Sequence, residues 1–208
     1  MTRIAVVDYG MGNRRSVEKA LHRVGAEPTI TNDHDAIRAA DGLVVPGVGA
    51  FPRAMANLAE LGLDDVLRER LAEGVPTLGV CLGMQLLFDE SVELGGAAGL
   101  GFLPGRVRQL AANGRKLPHI GWNLVTFRRP SALTEGLPPA TPFYHVHSFA
   151  PVPAREQDVV GTSEYAAPFV SMVDRPPLYG VQFHPEKSSE AGLRLLANFT
   201  EVCARVAA

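Results

Sequence analysis

The chain has 208 residues, 46% of them hydrophobic and 20% charged, which excludes a disordered chain and supplies enough apolar side chain for a core. Twenty Lys and Arg against 22 Asp and Glu leave a formal charge of −2. No basic excess exists to neutralise phosphates, so the composition argues against a nucleic-acid partner.

Residues 3–8 open the chain with a strand rich in Val and Ile, and Tyr9-Gly-Met-Gly12 turns it. Val17, Ala20, Leu21 and Val24 then recur at helical spacing until Gly25. Apolar runs at 42–45 and 76–80 predict two further strands. Between them, Met55, Leu58, Leu61, Val66, Leu67 and Leu71 keep helical spacing. Apolar strands separated by helices predict a parallel sheet covered on both faces. The second half reads differently. Segments 106–110, 122–127, 143–147, 159–162 and 169–173 are strand-like and divided by Pro and Gly, which predicts hairpins and antiparallel pairs. A last strand covers 178–183. A final helix runs over about 189–206, with Leu193, Leu196, Phe199 and Val202 on a core stripe. The predicted fold class is α/β: an open, mostly parallel central sheet with flanking helices and added antiparallel strands. No internal repeat divides it, and one domain over 1–208 is expected.

No apolar run reaches the ~18 residues of a membrane helix. The run before Asp8 is too short for a signal peptide, so a cytoplasmic location without a membrane partner is expected. Cys81 and Cys203 show no CxxC spacing, which argues against a disulfide scaffold and a structural zinc site. His22 and His34 are expected in solvent. His145 and His147 alternate near His184, but no carboxylate or cysteine ligand accompanies them at metal-site spacing, so no metal is expected.

Four segments carry chemistry. Gly10-Met-Gly-Asn-Arg-Arg15 follows a strand and opens a helix, like half of a dinucleotide fingerprint. Arg15 stands where the third glycine belongs, which leaves a tight turn or a loop facing a partner or an anion. Gly79-Val-Cys81-Leu-Gly83 is the cysteine form of the nucleophile elbow. A cysteine is often simply packed. Here the flanking glycines permit a sharp strand-to-helix turn, with a helix predicted over 84–88. The turn sets the Cys81 Sγ at a helix N-terminus, where the macrodipole favours a thiolate, and aims the Leu82 N–H at a developing oxyanion. His184-Pro-Glu186 lies at the end of the last strand. Residues two apart in extended chain share a side, so Glu186 can orient the His184 imidazole as the base for Cys81. The loop Pro46-Gly-Val-Gly-Ala-Phe51 exposes backbone N–H groups that would complete an oxyanion hole, or serves as an ordinary strand-to-helix loop.

Together these motifs resemble the class I (triad-type) glutamine amidotransferases. Within that family the whole chain is similar to the glutaminase subunits that feed imidazole glycerol phosphate synthesis in histidine biosynthesis. Asp8-Tyr-Gly-Met-Gly-Asn13, Pro118-His-Ile-Gly-Trp-Asn123 and His147-Ser148 carry that closer likeness. The resemblance implies a flavodoxin-like fold and a Cys81, His184 and Glu186 triad. It implies an oxyanion hole from Leu82 with Val48 or Gly49. Glutamine would be held by Gln85 and by the backbone of His147, Ser148 and Phe149. It also implies no cofactor and a heterodimer with a (β/α)8-barrel cyclase that consumes the ammonia. Asn13, Trp122, Asn123, Tyr144 and Lys187 match positions near the docking surface, although Trp122 would also suit a core. Three positions depart from the family pattern: Arg14 replaces an apolar residue, His145 an aromatic one and Phe149 a tyrosine. Two alternatives remain open on the residues alone: a glutaminase serving another acceptor, and a free-standing thiol hydrolase or non-catalytic binder on the same fold.

Overall fold

A computed structural model describes residues 1–207. It opens with β1 (Arg3–Val7), α1 (Arg14–Arg23), β2 (Glu27–Thr31) and α2 (His34–Arg38). β3 (Gly42–Gly47), α3 (Phe51–Glu60), α4 (Leu63–Ala72), β4 (Thr77–Cys81) and α5 (Leu82–Leu86) complete the alternating half. The remainder is mostly strand: β5 (Phe88–Ser91), β6 (Ala97–Ala98), β7 (Leu103–Gln109), β8 (His119–Phe127), β9 (Ala140–His147) and β10 (Phe149–Pro153). β11 (Val159–Tyr165), β12 (Ala167–Arg175), β13 (Leu178–Val181) and α6 (Ser189–Val206) close it.

Among the described residues, nine strands form one sheet in the order β2-β1-β3-β4-β13-β12-β11-β8-β9. Every neighbour from β2 to β13 is parallel. Every neighbour from β13 to β9 is antiparallel. A smaller sheet has the order β10-β7-β5-β6. The expected open α/β sheet is therefore present, with its added antiparallel strands on one side.

Burial follows from strand alternation. β3 and β4 are buried along their whole length. Leu43 and Val45 enter a core with Phe51, Leu58 and Leu63 of the helices on one face. Val44 enters the core on the other face with Leu21 of α1 and Leu195, Leu196 and Phe199 of α6. The α6 stripe is thus centred on Leu195, Leu196 and Phe199, with Leu193 and Val202 at its margins.

Several elements differ from the sequence reading. The helical spacing over 55–71 is broken into α3 and α4 at Gly62, whose φ of +63° suits a glycine. α5 starts directly after Cys81 and ends at Leu86, so Phe88 opens a strand where the periodicity predicted helix. β2 and α2 carry too few apolar residues to read as elements, and only packing against β1 makes β2 a strand. His34, expected in solvent, bonds through Nε2 to the Leu61 carbonyl at 2.8 Å.

Candidate active site

The elbow forms because β4 ends without room. Cys81 has φ 54° and ψ −110°, a strained conformation for a residue with a Cβ. The strain persists because both neighbouring glycines are packed. A Cβ on Gly79 would lie 2.7 Å from the Gly83 carbonyl oxygen, and one on Gly83 would overlap the Val45 carbonyl. The Cys81 side chain is buried at the start of α5. Its Sγ lies 3.8 Å from the Val146 carbonyl oxygen and receives an N–H from Gln182 Nε2 at 3.7 Å.

Strand register brings His184 to the neighbouring strand end. β13 runs parallel to β4, with Val181 beside Val80, so the chain leaving β13 passes the elbow. His184 is anchored there: its N–H donates to Tyr144 O at 2.8 Å, and its carbonyl accepts from Ser188 Oγ at 2.6 Å. His184 Nδ1 is 2.8 Å from Glu186 Oε1, and neither side chain is exposed. Asn13, in a left-handed conformation before α1, donates Nδ2–H to the same carboxylate oxygen at 2.5 Å. Burial lowers the pKa of the imidazole, but Cys81 and Glu186 outweigh burial and raise it to about 10. Among the described residues, none hydrogen-bonds His184 Nε2.

A cavity of about 230 Å³ opens beside the thiol. All seven residues expected at the substrate or oxyanion site line it together with Cys81: Val48, Gly49, Leu82, Gln85, His147, Ser148 and Phe149. The loop carrying Val48 and Gly49 is shaped from below. Tyr9 OH donates to the Pro46 carbonyl at 2.6 Å, and a Cβ on Gly47 would overlap that hydroxyl. Gly49, at φ +125°, lies over the Met11 methyl group.

Three residues at the site carry no role in the sequence reading, although His119 falls within the Pro118–Asn123 segment. Glu93 lines the cavity, and its Oε2 accepts the Phe51 N–H at 2.9 Å. Nothing around Glu93 in sequence marks it. Gln182 is fully buried beside the thiol. Its only signal is its place two residues before His184. His119 is buried and joins His147 across the β8–β9 pair.

The Phe149 carbonyl already holds two donors, His147 Nδ1 and Gln85 Nε2, both at 2.9 Å. Both lone pairs are therefore in use, leaving Ser148 and Glu93 better placed for a ligand's polar groups. Burial drives the pKa of His147 down to about 3 and that of His145 down to about 2. Both imidazoles are neutral donors and acceptors at physiological pH. His145 bonds the Phe143 carbonyl at 3.1 Å and Ser171 Oγ at 3.3 Å.

The residues expected near a docking surface divide. Asn13 sits at the His184–Glu186 pair. Asn123 is tied to His119. Trp122 is 55% exposed, against the core alternative, and packs edge-on to Tyr144 with ring centroids 6.1 Å apart. Ile120 and Leu124 are also exposed on β8, and Lys187 is exposed on the turn after His184. Arg14, at one departure from the family pattern, pairs with Asp8.

The model of the family described as glutamine amidotransferase class-I matches residues 5–203. A protein of Moorella thermoacetica named imidazole glycerol phosphate synthase subunit HisH is 54% identical over 97% of this chain and 96% of its own length. The protein of that name from Symbiobacterium thermophilum is 51% identical over 96% of this chain and 93% of its own length. Among solved structures, that of PurLQS from Thermotoga maritima matches with a TM-score of 0.79, 19% identity and coverage of 97% and 98% of the two chains, a likeness of fold. With the elbow, the buried His184–Glu186 pair and these full-length likenesses in agreement, the chain belongs to the class I glutamine amidotransferases, among the HisH subunits of imidazole glycerol phosphate synthase.

Proposed function

We propose that this chain is the glutaminase subunit of an imidazole glycerol phosphate synthase, acting in histidine biosynthesis as one amidotransferase domain. The observation that carries the reading is the buried His184–Glu186 pair on the strand end next to the strained Cys81 elbow, whose thiol lines a cavity sized for an amino acid. Cys81, as thiolate, attacks the carboxamide carbon of glutamine. The oxyanion forms at the Leu82 N–H with that of Val48 or Gly49. His184, carrying the thiol proton, gives it to the departing ammonia and leaves a γ-glutamyl thioester. It then takes a proton from water as the water attacks the thioester, and returns that proton to Sγ as glutamate leaves. Glu186, held by Asn13, keeps the imidazole oriented and balances its charge. The Glu93 carboxylate suits the substrate's α-ammonium group, and Gln85 Oε1 a second N–H.

The ammonia passes to a partner subunit, read as a (β/α)8-barrel cyclase in a heterodimer. The barrel turns it and a nucleotide substrate into imidazole glycerol phosphate and aminoimidazole carboxamide ribonucleotide. The exposed row Ile120, Trp122 and Leu124, with Tyr144 beside it, supports docking there, since free proteins seldom expose such rows. Among the described residues no helix is long and apolar enough to cross a membrane, consistent with work in the cytoplasm.

The test is glutamate release by the purified chain, with and without the cyclase and its nucleotide ligand. Slow hydrolysis alone, strong stimulation by the barrel, and a loss of at least about 10⁴-fold in Cys81→Ala are expected. Full activity without the barrel would point to a free-standing hydrolase. Unchanged activity in Cys81→Ala would overturn the nucleophile.

A further inference from the structure

A run of hydrogen bonds outside the triad joins β8, next to the edge strand of the large sheet, to the nucleophile. Asn123 Nδ2 donates to the Glu164 carbonyl at 2.9 Å, which sets its amide, and lies 3.4 Å from His119 Nε2. His119 Nδ1 is 3.2 Å from His147 Nε2, and His147 Nδ1 is 2.9 Å from the Phe149 carbonyl. An amide donor at one end and a carbonyl at the other leave one assignment: two neutral imidazoles, each carrying its hydrogen on Nδ1. Gln85 Nε2 gives one hydrogen to the same Phe149 oxygen at 2.9 Å and the other to Gln182 Oε1 at 3.1 Å. Gln182 is thereby turned so that its Nε2–H faces Cys81 Sγ at 3.7 Å. The reversed amide would oppose two donors at Gln85 and set an oxygen against the sulfur.

We propose that Gln182 is a positioning residue of this reaction, holding Cys81 Sγ through an N–H···S contact, and that the His119–His147 pair sets it by fixing the Phe149 carbonyl. The proposal rests on the reading of Cys81 as the glutaminase nucleophile. An N–H facing sulfur is attractive while the sulfur is a thiolate and weaker once it is acylated. The contact therefore raises the fraction of Cys81 held as a placed thiolate before attack, and stabilises the sulfur as leaving group when the thioester breaks. The outer end of the run, Asn123, follows Trp122 on the strand read as the docking face.

The experiment uses the full chain with its cyclase partner. Two readouts are taken: steady-state glutamate release, and the rate at which iodoacetamide alkylates the Cys81 peptide, followed by mass spectrometry. Gln182→Met and His119→Leu are expected to lower kcat about tenfold, with KM within about threefold, and to slow alkylation by a similar factor. His119→Asn keeps an N–H where Nδ1 stood and is expected to recover most of both rates. Wild-type alkylation and kcat in Gln182→Met would overturn the proposal. Equal losses in His119→Leu and His119→Asn would do the same, because the imidazole would then matter only as packing. If Gln182→Met does not fold, the His119 pair decides. Cys81→Ala separates the two readings. Activity retained in that variant defeats the nucleophile assignment. Its loss beside a fully active Gln182→Met defeats only the positioning role.

Discussion

The two halves of the large sheet contribute to the site by different means. In the parallel half, backbone does the placing. β4 and β13 lie in register, Gly79 and Gly83 let the elbow close, and Cys81 and His184 leave adjacent strand ends. In the antiparallel half, side chains do the placing. His119, His145, His147, Ser163 and Ser171 are buried, and each is held by a polar partner. A polar interior is stable only when satisfied. The first half is therefore sensitive to added volume near the elbow, and the second to lost partners and added protons.

The largest effect expected from breaking this contrast comes from one methyl group. In Gly83→Ala the new Cβ meets the Val45 carbonyl, so the elbow must open. A loss of about 3 kcal/mol in chemical denaturation, together with loss of glutaminase activity, is expected. A variant as stable and active as the parent would show that backbone contact does not hold the elbow.

Asn13 tests the contact between the turn before α1 and the His184–Glu186 pair. It occupies φ 74°, which alanine tolerates poorly and glycine well. Asn13→Ala and Asn13→Gly should both lower kcat about tenfold, because Glu186 loses a charge-assisted donor in each. If the glycine variant keeps the parental kcat, the amide plays no part and only the turn conformation matters.

The antiparallel half should show itself in acid. His145 and His147 have pKa values lowered by burial to about 2 and about 3, against about 6.5 in the unfolded chain. Below pH 6.5 the unfolded chain gains protons that the folded chain refuses. Stability is therefore full above pH 6.5 and falls as the pH drops towards 3. His184 acts with the opposite sign. Its pKa is raised to about 10, so its contribution is full below pH 6.5 and is lost as the pH rises through about 10. Denaturation curves at pH 6, 5 and 4 should fall less steeply in His145→Phe, and an unchanged slope would mean that His145 takes up its proton in the folded state.

The smallest effect on folding is expected on the exposed face. Trp122→Ala should change stability by no more than about 0.5 kcal/mol, since the ring is 55% exposed. Its affinity for the cyclase should fall about tenfold or more in a titration, as large aromatic anchors dominate interfaces. Unchanged affinity would move the docking face away from β8.

The alternation of apolar strand and helix was legible in the first half because parallel strands buried on both faces read as continuous apolar runs. β2 was not legible. Its Glu, Pro and Thr residues form a strand only because β1 offers a ladder on that side. The elbow was legible because every requirement is local: a strand, two glycines and a cysteine between them. His184-Pro-Glu186 was legible for the same reason.

Sequence by itself determined the elbow at Cys81 and the His184–Glu186 pair, because bond geometry over five or three residues decides what such segments can be. Tertiary structure alone decided the rest. It brought Asn13 to Glu186 from the other end of the chain, and set Gln182 against Cys81. It turned Glu93 into the cavity and paired His119 with His147 through the register of β8 and β9. No short-range pattern marks those contacts, since each depends on which strand lies beside which and in what register. Shifting one strand by a residue would send its side chains to the opposite face.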